Sequence, residues 1–365
     1  MAETEHGSAL PQAARVLITL AAAGVTLVSL SLARDLVGPF ALAAVIAIVV
    51  YPVRVALVAR SAPSWVATAA MVASAYAIII VIGVLLVLAI VHFGAMLSNH
   101  AIDFEQSTDD VHSLLASLGL PRDVAATATD WLSPEAIALA LRSAATSIVS
   151  TIVALAFVFA YVLFMSADSA SFAALAERFA ATRGRVLAQL SEYSSAVRRY
   201  LLVNATFGAI VAVLDGLVLA ACGVPAPLTW AVLAFVTNFI PNIGFVIGLV
   251  PPVVLALLTE GWQTALVVAA AYCVINVVLQ TLVQPRFISS AVSLSLTLTF
   301  ASVVLWTFVI GPIGAILAVP LTLFLRVLLF GIDANAGFGR WLTGDRRDVR
   351  FTPPGRRDEP PTERE

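Results

Sequence analysis

The chain has 365 residues, of which 61% are hydrophobic and 12% charged, with a net charge of -2 and a mean hydropathy of +1.00. An average soluble domain carries about twice that share of charged residues, so water is excluded as the main solvent. No lysine occurs, which excludes a Walker-type nucleotide loop, and the overall balance argues against a nucleic-acid partner.

Apolar segments of the roughly 20 residues needed to cross a bilayer fall at 16–33, 37–59, 66–92, 146–166, 201–222 and 262–283. Residues 1–92 therefore read as N-terminal membrane helices, with Arg15 preceding a retained first span rather than a cleaved leader. Residues 93–145 carry Asp103, Glu105, Asp109, Asp110, Asp123, Asp130 and Glu135 against only Arg122 and Arg142. Positive loops stay cytoplasmic, so this acidic stretch is expected outside, as a small helical subdomain. Val111, Leu114, Leu115 and Leu118 give it helical spacing, and Ser133-Pro134-Glu135 reads as a helix start.

A span at 146–166 follows. Over 167–200, Phe172, Leu175, Phe179, Val186, Leu190, Tyr193 and Val197 recur at helical spacing. This predicts an amphipathic helix on the cytoplasmic interface, or else a helix packed on neighbouring spans. Residues 201–332 form the expected transport core, and 333–365 lack apolar periodicity, as a disordered cytoplasmic tail does. Arginine placement puts both termini in the cytoplasm. Cys222 and Cys273 lie in apolar runs, where a free thiol behaves as a small hydrophobe.

Within 228–258 and 296–330 the apolar run is longer and is broken by Pro and Gly. The segment Pro241-Asn242-Ile243-Gly244 through Val250-Pro251 resembles Gly311-Pro312-Ile313-Gly314 through Val319-Pro320, with one residue of gap. Each copy follows a full span, so the unit is one span plus one broken segment. Taken as re-entrant hairpins, the two form a C-terminal inverted repeat whose breaks meet inside the membrane. The fold class is thus an all-α polytopic membrane protein with about six full spans plus two hairpins, or eight spans if the breaks are mere kinks.

Polar residues inside such spans tend to face a cavity or a partner. Asp215 is the acid that lies well inside a predicted span, with Asn204 on roughly the same face. It suits exchange of a coupling proton or sodium, or else serves as a paired structural residue. Asn276, Gln280 and Gln284 are spaced by four on one helix face. Such amides fit a neutral polyhydroxylated solute, or hold helices together. Thr237, Asn238 and Asn242 flank the first break, where a polar lining is required. His92, His100 and His112 are too scattered for a metal site, and Asp215 alone does not make an intramembrane hydrolase. No cofactor or enzymatic activity is expected.

With Pro39 to Pro52 in the second span, Asn238-Phe239-Ile240-Pro241-Asn242-Ile243-Gly244, Gln284-Pro285, and Gly311, Gly314 and Pro320, the chain resembles the autoinducer-2 exporter (AI-2E) family of bacterial transporters. One departure is the lack of proline in Ser293-Leu294-Ser295-Leu296-Thr297. The resemblance implies a multi-pass protein of the bacterial inner membrane, a homo-oligomer such as a pentamer, that moves a small-molecule solute outward. It also implies a pathway through Pro241, Gly244, Pro285, Gly311 and Gly314 with the polar residues named above. Export of a small polar metabolite, cation/proton antiport and a non-transporting membrane scaffold are the alternatives that the sequence leaves open.

Overall fold

The computed structural model describes residues 11–99, 134–241, 244–288 and 294–331, and every regular element among them is helical. Most of the expected external subdomain, Asn242 and the tail from residue 332 lie outside the described residues. The chain forms α1 (Gln12–Leu32), α2 (Arg34–Ala59), α3 (Ser64–Asn99), α4 (Pro134–Ala221), α5 (Pro227–Thr237), α6 (Gly244–Glu260), α7 (Trp262–Asn276), α8 (Gln284–Ile288), α9 (Leu296–Ile310) and α10 (Pro312–Arg326). Val277–Val283 continues α7 as a π-helical segment, and Val327–Gly331 extends α10 in the same way.

Five stretches among the described residues are long and apolar enough to cross a membrane: Arg34–Ala59, Ser64–Leu85, Val186–Ala221, Trp262–Val283 and Pro312–Leu329. Leu17–Leu32 and Val153–Ser169 are shorter apolar helices, and both fall on expected spans. Leu20, Val25, Val28 and Leu32 of α1 stand on the outside of the bundle, Leu32 at 84% exposure. A soluble fold does not leave continuous apolar faces to water; this is a polytopic α-helical membrane protein.

α4 differs from expectation. The segments 146–166, 167–200 and 201–222 belong to one helical run from Pro134 to Ala221. That run is not straight. Phe40 packs edge-on against Tyr161 at 5.3 Å, while the neighbouring Ala41 shares a buried cluster with Val197 and Tyr200. Tyr161 and Val197 are about 36 residues apart, or about 54 Å of straight helix, so α4 folds back between these anchors. Its returning part packs inward: Val197 and Tyr200 are buried, and Tyr193 meets the Phe324 ring at 5.7 Å. Over 193–200 the apolar face thus covers α2 and α10.

Both broken segments form helical hairpins. A Cβ on Gly244 would run into the carbonyl oxygen of Thr237, and one on Gly248 would lie 3.4 Å from Ala234 Cα, so α5 and α6 are antiparallel and in backbone contact. In the second hairpin a Cβ on Gly314 would run into the carbonyl oxygen of Trp306, while the Trp306 indole N–H donates to Thr322 Oγ1 and Thr322 to Ser302 Oγ, at 3.0 and 2.8 Å. The Ile-Gly core of the repeat thus marks the same physical event twice, the glycine at which the second arm crosses the first. Gly311 (φ 74°, ψ -157°) turns the second hairpin in a conformation reserved for glycine.

The hairpins approach from opposite ends of the returning part of α4. At one end Gly216 abuts Ala231 of α5, and farther back Gly208 abuts Asn238 at the hairpin's tip. At the other end Phe324 of α10 meets Tyr193, and the second tip lies against Gly38 through Ile310 and Ile313. The tips come together where Ile240 packs on the cluster of Trp306 and Ile310.

Replacing Gly244 or Gly314 with alanine is expected to cost about 1–3 kcal/mol by overpacking and to lower the unfolding midpoint in detergent. Gly24→Ala and Gly83→Ala, where an added Cβ meets nothing within 4 Å, should leave it unchanged.

Candidate functional site

The first hairpin, the returning part of α4 and α7 with its π-segment border a half-open cleft with room for a water-sized occupant. Asp215, Thr237, Asn238, Tyr272, Asn276 and Gln280 contribute its polar wall, and Val211, Ala234, Phe245 and Gly248 the rest. Five residues singled out in the sequence, on three different elements, therefore face one space.

The amides form a directed network. The Asn276 side-chain amide donates to the Tyr272 carbonyl at 2.8 Å, and that of Asn238 to the Asn204 carbonyl at 3.1 Å. A backbone carbonyl only accepts, so both bonds fix the orientation of their asparagines. Each asparagine then presents its Oδ1 to Gln280, whose amide nitrogen donates to Asn238, at 2.8 Å, and to Asn276. Farther along, Gln284 donates to Asn204 Oδ1 at 2.7 Å. The π-segment Val277–Val283 lies between Asn276 and Gln284; its wider turn departs from the regular spacing of four, and Gln280 still engages the hairpin at Asn238 while Gln284 engages α4 at Asn204.

Asn204, Asp215, Thr237, Asn276 and Gln284 are all buried. Thr237 donates its hydroxyl to the Leu233 carbonyl at 2.9 Å. Asp215 and Tyr272 are the exceptions to satisfied hydrogen bonding: Asp215 Oδ1 and the Tyr272 hydroxyl are buried without a partner. Asn204 serves the network and Asp215 the cleft, so their shared face does not make them partners. Gly208 is required beside the network, because a Cβ there would stand 2.8 Å from Asn238 Nδ2.

The remaining predicted positions serve the frame. Pro241 and Gly244 build the first tip, Gly311 and Gly314 the second, and Pro285 follows Gln284 in α8. None of these five lines the cleft. Tyr272, Phe245 and Gly248 line it without having been singled out. Tyr272 had a signal, since it precedes Asn276 by four and extends the 276–280–284 face by one turn.

A water-sized cleft where membrane helices break suits a membrane transport protein, and known sequences give that class. A profile of the family described as AI-2E family transporter matches residues 17–330, so the chain belongs to that family. It is 26% identical over 322 residues to the "AI-2 transport protein TqsA" of Escherichia coli, covering 86% of this chain and 91% of that protein. A "Putative transport protein" of Haemophilus influenzae is 27% identical over 342 residues, covering 92% and 98%. "Putative transport protein YhhT" of Escherichia coli is 35% identical over 146 residues, covering 40% and 42%.

Gln284→Leu should strand the buried Asn204 oxygen and destabilise the protein by about 1–3 kcal/mol. Adding Asn204→Leu should restore part of that loss, because an apolar pair leaves no unmet acceptor. A double-mutant cycle in thermal unfolding checks this, and strict additivity would contradict a direct bond.

Proposed function

We propose that the protein is a gradient-driven secondary transporter that exports a small, uncharged, hydroxyl-rich solute of the autoinducer-2 kind. The observation that carries this reading is the joining of Asn204, Asn238, Asn276, Gln280 and Gln284 into one amide network where the hairpin tip meets α4 and α7. Amides offer donors and acceptors without charge, which suits a neutral solute with several hydroxyls. The printed name of TqsA, similar over most of both chains, supports the same solute class.

In this reading the hairpins enter the bilayer from opposite faces and the network lies at the first tip, beside the place where the two tips meet, as broken helices of inverted-repeat transporters bind cargo. A solute larger than a water molecule reaches it only if the hairpin draws back from α7. The bond between Gln280 and Asn238 spans that seam, so a solute hydroxyl replaces it rather than adding to it.

Purified protein in proteoliposomes should release entrapped autoinducer-2 down an imposed gradient. Gln280→Leu and Asn238→Leu should each slow the initial rate about ten-fold, the worth of one lost hydrogen bond to solute, while the protein stays folded. Wild-type rates in both variants would remove the network from the path, and no release by the wild type under any gradient would overturn the solute class.

A further inference from the structure

We infer that the corner between α2 and α3 is a binding site for the phosphate of one anionic phospholipid, held by Arg54. This goes beyond the solute pathway and involves none of its residues.

Arg54 is a buried cation with nothing to pair with. Ala43, Ala47, Val50 and Arg54 recur at helical spacing on one face of α2, and the first three pack with Met71 and Ala75 of α3 and Val158 and Val162 of α4. The face that buries alanine and valine thus ends on a guanidinium. Arg54 is 8% exposed, its Nε is sealed without a hydrogen-bond partner, and among the described residues it makes no ion pair. A guanidinium has five N–H donors and no acceptor, and it keeps its charge. A buried charge without a partner is strongly destabilising, so the site is complete only with an anion in it.

Place decides which anion. Arg54 lies five residues, about 7.5 Å of helix, before Ala59, the last residue of α2, a length over which an arginine snorkels. Around that end Val55 and Val58 of α2 are 47% and 46% exposed, and Trp65 in the first turn of α3 is 75% exposed. This is an apolar flank closed by the kind of aromatic residue that settles at a bilayer's edge. Arg60 is exposed at the end of α2, and α3 begins at Ser64 with the free N–H groups and positive dipole end of a helix start. Donors are therefore gathered at headgroup depth, beside an apolar surface for acyl chains. On the arginine placement read from the sequence this end is cytoplasmic, and a basic pocket between membrane helices on that side suits an anionic headgroup. A phosphodiester turns two oxygens to the planar fork of a guanidinium, whereas a zwitterionic lipid carries its own counter-charge.

The test is lipid binding by the full chain, purified in detergent and stripped of lipid. Thermal unfolding is followed against short-chain phosphatidylglycerol, with phosphatidylcholine of the same chain length and inorganic phosphate in parallel. A ligand that binds the folded state raises the midpoint saturably. Phosphatidylglycerol should do so, and the other two should be far weaker. Arg54→Met should raise the phosphatidylglycerol concentration for half-maximal effect at least about ten-fold, the worth of one charge-assisted hydrogen bond. Its midpoint without lipid should stay at or above that of the wild type, because an apolar side chain of similar length removes an unpaired charge. Arg54→Lys, which keeps the charge and loses the fork, should fall between the two. Equal responses to the two lipids, or an unchanged phosphatidylglycerol response in Arg54→Met, would overturn the site. A lower lipid-free midpoint in Arg54→Met would overturn it as well, since that is the mark of an internal acid left without its arginine. Inorganic phosphate as effective as phosphatidylglycerol would overturn the lipid as the source of the anion.

Discussion

A helix that stops inside an apolar bundle leaves backbone groups that no water can satisfy, and this constraint organises the C-terminal half of the molecule. The chain meets it first by closeness. Gly244 and Gly314 let the second arm of each hairpin rest on the carbonyl of the first, so little room remains around the exposed ends. It meets it second with backbone turns at the tip, where the Phe239, Ile240 and Gly244 N–H groups donate to the Val236, Thr237 and Ile240 carbonyls, beside the amides of Asn238 and Asn276. The amides beside the break hold the tip against α4 and α7, and in the proposed function they are also the groups that a solute meets.

Neutral amides are suited to both tasks where charges would serve only one. A charge at this depth demands a counter-charge, which fixes the geometry and resists rearrangement. An amide pair separates for about 1–2 kcal/mol, within reach of what a solute hydroxyl returns. Asp215 is the exception, and its side of the cleft is where a permanent partner within the protein is absent.

Much of this was legible in the sequence because membrane physics writes itself in long, repetitive patterns. Spans at 37–59, 66–92 and 262–283 fall on α2, α3 and α7 with its π-segment, since apolar length is read directly. The repeated Ile-Gly marked both hairpins because only glycine permits the backbone contact. The face 276–280–284 emerged from spacing, although the π-turn that interrupts it leaves no compositional trace. The continuity of α4 was hidden for a different reason: two spans and the helix that joins them keep helical periodicity whether or not one runs into the next. Tyr272 was hidden because an aromatic ring in an apolar helix reads as core, and its unpartnered hydroxyl becomes visible only with its surroundings in place.

The opposed hairpins also explain why one α-helix serves both. The returning part of α4 touches the base of the second hairpin at Tyr193, the network at Asn204, the first tip at Gly208 and the first hairpin's arm at Gly216. The side chains on it change along that path from aromatic to amide to glycine, and then to the carboxylate of Asp215 between Gly208 and Gly216. Close glycine contacts at Gly216 and Gly208 hold the first hairpin by shape. The directional bonds are few and concentrated at the tip, between Asn238, Asn204 and Gln280. A hairpin held by shape along its length and by directional bonds at its tip has its most specific contacts where Asn238 meets Asn204 and Gln280, and only contacts that differ between two states can shift a balance between them.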